Sequence, residues 1–256
     1  LVRSRGLGDV YKRQAQYIGE KGAILAYCLP KVIFSENIQG LHEIAESSRM
    51  KKLRLVVFDV DGTLIRVESS WRHLHQQLGT WDRGRKYAER FFKGFITYED
   101  WARLDASLWR GLPLERVQRI VNDIPYTDGA REVITTLRRR ELLVVLLSAG
   151  LSIVTDRIRE DIGVDGSLAN ELAVENGFLT GEVRVDVSFS NKGEVLHRFL
   201  EKFGVTPDEC AAVGDDETMI PLFEKVGLGI AFNPRKKVVE KHADVVVKGN
   251  DLRQIL

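Results

Sequence analysis

The sequence predicts an α/β fold: a central parallel sheet flanked by helices, with a small all-helical cap inserted after the first core strand. Three observations predict it. Strand and helix signals alternate along residues 50–65 and 128–256, the order that builds a mostly parallel sheet. Residues 66–127 break that alternation and read as helices only. The first apolar run, residues 53–58, ends in Asp59-Val60-Asp61-Gly62-Thr63-Leu64, two carboxylates one residue apart.

Taken in order, residues 1–14 (LVRSRGLGDVYKRQ) look like a translated sequencing-adapter sequence and are set aside from fold reasoning. Residues 15–49 carry one short helical pattern, Leu41-His42-Glu43-Ile44-Ala45, and read equally well as the tail of an upstream reading frame; no function is assigned to them. Met50-Lys51-Lys52 reads as a natural start just before the first core strand. Helical patterns then cover residues 69–78, 83–92, 97–109 and 114–121, and all four tryptophans (Trp71, Trp81, Trp101, Trp109) fall among them. Thr97 with Asp100 three residues later resembles a capping box, with Asp in place of the usual Glu. An insertion at the C-terminal edge of a parallel sheet sits over the crevice where such sheets bind ligands. The core resumes with a helix over Ala130–Arg139, whose Val133, Ile134 and Leu137 share a face. Buried strands follow at 142–147, 211–213, 228–231 and Val245–Val247, with a helix at 194–203. A hairpin signal appears at 179–183, with Asn176-Gly177 just before it.

Composition sets bounds. At 256 residues the chain can bury a sizeable core, and 44% hydrophobic with 29% charged residues is ordinary for a soluble globular protein. A net charge of +1 gives no argument for nucleic acid. Cys28 and Cys210 make no disulfide framework; Cys210 is expected as a small buried hydrophobe in a core strand. No apolar run approaches the eighteen or so residues of a membrane span, and no signal peptide is seen. A reducing cytoplasm is the expected setting, and no oligomeric state is specified.

The chemistry starts at Asp59 and Asp61. Period-two spacing turns both to one side if the strand continues, and Gly62 lets the chain leave it sharply. One carboxylate can attack phosphorus while the other handles protons, with a divalent cation offsetting their repulsion. A calcium loop would need further oxygen ligands at regular spacing, which Thr63-Leu64-Ile65 does not supply. Ser148-Ala149-Gly150 follows a strand and precedes a helix; a hydroxyl with backbone N–H groups there makes a phosphate cradle, although by itself such a tripeptide is more often a turn. Lys192 opens a helix in Ser190-Asn191-Lys192-Gly193-Glu194. Lysines are usually solvated, but a cation at a helix start opposes the dipole, and a phosphate to neutralise would explain it. Val213-Gly214-Asp215-Asp216 follows a short strand; it reads as an acidic turn or as oxygen ligands for a hard cation.

In this order and context the four elements resemble the four motifs of the haloacid dehalogenase (HAD) superfamily of aspartyl-phosphate-forming enzymes. The resemblance implies a HAD-like Rossmannoid core whose first-motif strand lies between the second- and fourth-motif strands. It implies Mg²⁺ as cofactor, held by Asp59, the Asp61 backbone carbonyl, Asp215 and Asp216. It makes Asp59 the nucleophile, Asp61 the proton shuttle, and Ser148 and Lys192 the remaining catalytic groups. Thr63, Ala149, Gly150 and Thr218 are expected at the substrate.

A closer resemblance, over residues 50–256, is to the phosphoserine phosphatase branch. Glu68 nine after Asp59, Asn176-Gly177 before Leu179-Thr180-Gly181, Lys192-Gly193-Glu194 and the ending His242-Ala243-Asp244 carry it. By this likeness Glu68 faces the substrate's polar group, and the partner is a small phosphorylated metabolite, neither nucleic acid nor membrane. Two departures stand out. Asp105 falls where the branch has a carboxylate-binding arginine, with Arg103 two residues earlier; an aspartate there favours a leaving group with a cationic or hydroxyl function. Trp101, Asp105 and Trp109 share a helix face, either as an aromatic pocket wall or as packing core. In the fourth motif Thr218 and Met219 replace the usual Asn and Asp, and Asp216 is expected to substitute. Two other activities are compatible with the motifs: a phosphomutase or phosphotransferase using the same intermediate, and a non-catalytic binding module. A P-loop signature is absent, and a receiver domain would lack the inserted helices.

Overall fold

A computed structural model describes residues 52–256. The readings of residues 1–14, 15–49 and Met50 lie outside the described residues. A seven-stranded sheet runs in the order β4 (Phe178–Arg184), β3 (Gly166–Glu175), β2 (Leu143–Leu151), β1 (Leu55–Phe58), β5 (Cys210–Gly214), β6 (Leu228–Phe232), β7 (Val245–Val247). Strand β1 (Leu55–Phe58) is buried throughout and pairs in parallel with β2 (Leu143–Leu151) and β5 (Cys210–Gly214). Phe58 is level with both Leu146 and Val213, so the C-terminal ends of the three strands open at one edge. A strand buried on both faces must be apolar on both. Val56 and Phe58 accordingly pack on one side of the sheet, and Leu55 and Val57 on the other.

Four helices lie between β1 and the next core helix: α1 (Ser70–Gln77), α2 (Trp81–Phe92), α3 (Tyr98–Ser107) and α4 (Leu114–Asn122). Thr97 caps α3 as its sequence predicts: its hydroxyl accepts the Asp100 N–H at 3.1 Å, and the Asp100 carboxylate accepts the Thr97 N–H at 3.1 Å. Helix α5 (Ala130–Arg139) buries Val133, Ile134 and Leu137. Helix α6 (Ser152–Ile162) follows β2, and β3 (Gly166–Glu175) pairs in parallel with it.

Sequence and structure differ in places. The hairpin turn falls at Asn176-Gly177, both at positive φ (51° and 82°), the backbone of a tight two-residue turn. Residues 179–183 therefore belong to its second strand, β4 (Phe178–Arg184). Strand β3 escaped the apolar reading because it is only half-buried. The helix expected at 194–203 is two short ones, α7 (Lys192–Val195) and α8 (His197–Phe203). Strand β6 (Leu228–Phe232) and strand β7 (Val245–Val247) flank the short helix α10 (Lys237–His242), and α9 (Ile220–Phe223) follows β5. The hairpin also grips the insertion: Gly111 N–H donates to Leu179 O at 2.8 Å, and Leu179 N–H donates to Leu112 O at 2.9 Å. Cys210 is fully buried, as expected. No helix among the described residues is long and apolar enough to cross a membrane.

Candidate active site

Where β1 ends, the Asp59 N–H still bonds to Val213 O at 2.9 Å, so the side chain emerges on a backbone held by the neighbouring strand. Its Oδ1 accepts from Lys192 Nζ at 2.9 Å and from the Val60 N–H at 2.8 Å. Lys192 is 1% exposed, far from the solvated lysine its residue type predicts. A buried ammonium needs a carboxylate partner, and Asp59 is that partner. Burial raises the Asp59 carboxyl above its ordinary range, while the Lys192 charge opposes the shift.

Asp61 lines the same cavity as Asp59. Its Oδ2 accepts both the backbone N–H and the hydroxyl of Ser70, at 2.7 and 2.8 Å. The first turn of α1 thus docks on this carboxylate, where the helix dipole favours an anion. Its Oδ1 is buried with no hydrogen-bond partner among the described residues. Burial lifts its pKa to about 6, against the pull of the Ser70 bonds.

Ser148, Ala149 and Gly150 lie in the irregular end of β2, past a register shift after Leu147, rather than in a turn beyond it. The Gly150 N–H donates to Ser148 Oγ at 2.9 Å. The Ala149 carbonyl accepts from three side chains: Tyr98 Oη at 2.6 Å, Asn170 Nδ2 at 2.8 Å and Trp71 Nε1 at 3.2 Å. Gly150 has a steric reason: a Cβ there would lie 2.6 Å from Ser70 Oγ and 2.9 Å from Asp61 Oδ2.

Carboxylate oxygens of Asp59, Asp215 and Asp216 all lie within 4.8 Å of one another. Burial and the nearby Asp59 and Asp216 charges push Asp215 up to about 8. Arg235 Nε donates to Asp215 at 2.9 Å and its NH2 reaches Asp216 at 3.4 Å. Thr63 donates its hydroxyl to Asp215 at 3.3 Å and does not line the cavity. Gly62, at φ 78°, is where Asp215 approaches the chain: a Cβ would sit 2.4 Å from its Oδ2. Thr218 donates its N–H and hydroxyl to Asp216 Oδ1 at 3.0 and 2.6 Å. Met219 is buried, with its sulfur 3.4 Å from Lys192 Nζ. It packs under the lysine, in room left by the missing side chain of Gly214. The hard oxygen donors of this cluster suit a divalent cation such as Mg²⁺.

The cavity measures about 60 Å³ and brings together Asp59, Asp61, Glu68, Asp105, Ser148, Ala149, Gly150, Lys192, Asp216 and Thr218. Glu68 is exposed at its edge, 3.6 Å from Arg235. Arg103 is exposed on α3 and is not part of the lining. Of the tryptophans, Trp71 and Trp101 line the cavity, while Trp109 is wholly buried and stacks on Trp71 at 5.5 Å. Sequence reasoning missed Ser70, Tyr98, Asn170, Phe189 and Arg235. Only Ser70 had a local signal, a hydroxyl at the start of a predicted helix.

Residues 56–224 match the haloacid dehalogenase-like hydrolase family. The phosphoserine phosphatase of Methanocaldococcus jannaschii is 35% identical over 207 residues, covering 80% of this chain and 97% of that one. That of Archaeoglobus fulgidus is 35% identical over 203 residues, 79% of this chain and 58% of that one. Among solved structures, a phospho-aspartyl intermediate analogue of phosphoserine phosphatase superposes with a TM-score of 0.69 at 33% identity, over 80% of this chain and 98% of the other. A substrate-bound phosphoserine phosphatase complex gives 0.70 at 32%, over 80% and 97%. With the first-motif strand lying between those of the second and fourth motifs, and a match spanning residues 56–224, the chain belongs to the haloacid dehalogenase-like hydrolase family.

Proposed function

We propose that the protein is a Mg²⁺-dependent phosphomonoesterase that hydrolyses a small phosphorylated metabolite through an aspartyl phosphate on Asp59. The observation that carries this is one juxtaposition: Asp59 touches Lys192 at 2.9 Å, shares an oxygen cluster with Asp215 and Asp216, and opens with Asp61 onto one cavity. The phosphoserine phosphatase names of the relatives support the substrate class.

An Asp59 oxygen attacks phosphorus in line, a covalent route that divides one hard displacement into two easier ones. Asp61, whose pKa burial lifts to about 6 and so toward neutrality, donates its proton to the departing alkoxide and then takes one from the attacking water. Ser148 and the N–H groups around Ala149 and Gly150 hold the phosphoryl oxygens. Lys192 neutralises charge on both nucleophile and phosphoryl group. Asp59, Asp215 and Asp216 would hold Mg²⁺, which when bound supplies charge neutralisation for the phosphoryl oxygens. Asp216 offers the oxygen that Met219 lacks, which favours a catalytic site over a binding module. Helices α1 to α4 act as a cap that excludes bulk water and meets the leaving group.

The test is phosphate release from small phosphomonoesters with Mg²⁺. Asp59→Asn is expected to abolish it; wild-type turnover by this variant would refute the nucleophile.

A further inference from the structure

We propose that the phosphomonoester's leaving group is a short alkyl chain bearing a primary ammonium and no carboxylate, its ammonium held by Asp105 beside an aromatic wall. This rests on the phosphomonoesterase assignment above and adds the end of the substrate that the protein recognises.

Charge on the cavity wall is the first observation. Asp59, Asp61, Glu68, Asp105 and Asp216 all line it, and Lys192 is the only lysine or arginine among the lining residues. That ammonium is already committed to Asp59 at 2.9 Å. Arg103 points no charge into the cavity, being exposed on α3. With Asp59 and Asp216 assigned to the cation and Lys192, and Asp61 to a proton, Glu68 and Asp105 remain for the leaving group; a carboxylate there would meet these like charges and no other lysine or arginine among the lining residues, a repulsion that low local dielectric strengthens. A cationic one meets the reverse.

The second observation is the state of Asp105. It is 2% exposed, and its Oδ1 has no hydrogen-bond partner among the described residues. His75 Nε2 stands 3.2 Å from that oxygen, but out of line for a hydrogen bond. The other imidazole nitrogen lies 2.7 Å from Thr80 Oγ1, which also accepts the Trp109 indole N–H at 3.2 Å. A buried carboxylate with an open acceptor is costly, and an ammonium N–H removes the cost. The wall around it is aromatic: Tyr98, Trp101 and Phe189 stand with ring centres 5.6 to 5.9 Å apart, and Trp71 completes the lining. Aromatic faces attract cations and offer nothing to a carboxylate.

The experiment compares kcat/KM for ethanolamine phosphate, ethyl phosphate, phosphoserine and p-nitrophenyl phosphate with Mg²⁺ present. Ethyl phosphate removes only the ammonium, and phosphoserine adds only the carboxylate. Ethanolamine phosphate is expected to exceed both by at least tenfold. Asp105→Asn is expected to shrink the ethanolamine-to-ethyl ratio at least tenfold, mostly through KM for the amine. Phosphoserine or ethyl phosphate matching ethanolamine phosphate, while p-nitrophenyl phosphate is cleaved, overturns the leaving-group assignment alone. Failure to cleave any of the four overturns the catalytic assignment and this one with it. Should the variant not fold, the wild-type panel decides by itself.

Discussion

In the proposed mechanism a single side chain, Asp61, serves two opposite proton transfers. Burial favours its neutral form, and the two Ser70 donors restrain that tendency, leaving a pKa of about 6. A group poised there can give a proton near neutrality and take one back. An alkoxide leaves poorly without that proton, whereas p-nitrophenolate leaves without help. Asp61→Asn is therefore expected to slow alkyl phosphate turnover by about 10² to 10⁴-fold, the usual worth of a general acid. With p-nitrophenyl phosphate the same variant should give a burst of nitrophenolate equal to the enzyme present, then slow turnover, because the second step has lost its base. Stopped-flow absorbance reads this directly, and a burst slowed as much as alkyl cleavage would sink the proton-donor role. Both motif-one aspartates were legible in the sequence because strand end, spacing and glycine are local. Asn170 and Arg235 were not, since each acts on a partner at least twenty positions away; Ser70 left only the trace of a helix-start hydroxyl, not of its bond to Asp61 nine positions back.

Among the elements, the end of β2 depends most on others. Three donors from α1, α3 and β3 converge on the Ala149 carbonyl, which fixes the direction of the strand end that carries Ser148 to Gly150. Asn170 is the hub. It is fully buried, donates to Ala149 O at 2.8 Å and Val187 O at 2.9 Å, and accepts the N–H groups of Asp186 and Val187 at 2.9 Å each. Asn170→Ala strands several buried polar groups, each costing about 1–3 kcal/mol. The expected loss is about 3 kcal/mol or more in urea unfolding; a loss under about 1 kcal/mol would show that the network rearranges freely. The capping box at Thr97 was readable because it is completed within four residues. The half-buried strand β3 was not, because what selects it is its pairing with β2 and β4.

For the molecule as a whole, the acidic cluster links metal, pH and stability. Asp61 and Asp215 have folded pKa values of about 6 and about 8, above the ordinary 3.8. Groups raised in this way favour the folded state at low pH, and that contribution is lost as pH rises through the folded values. The metal-free protein should thus lose stability between roughly pH 4 and 8. Mg²⁺, if held as proposed, would bind the ionised carboxylates, so its affinity and its stabilising effect should grow over the same range. Thermal shift titrations at pH 6, 7 and 8.5 should show the Mg²⁺ midpoint falling as pH rises. A midpoint unchanged with pH would count against Asp215 as a ligand. By itself the sequence determined the alternating α/β core, the helical insertion and the strand that ends in Asp59, because apolar periodicity and turn residues act over a few positions. Tertiary structure alone decided that Lys192 is buried against Asp59, that Met219 packs under it while Asp216 joins the cluster, and that Arg103 stays out of the cavity. Those outcomes depend on which side chains meet across the sheet edge, and contact between distant segments leaves no periodic trace in the chain.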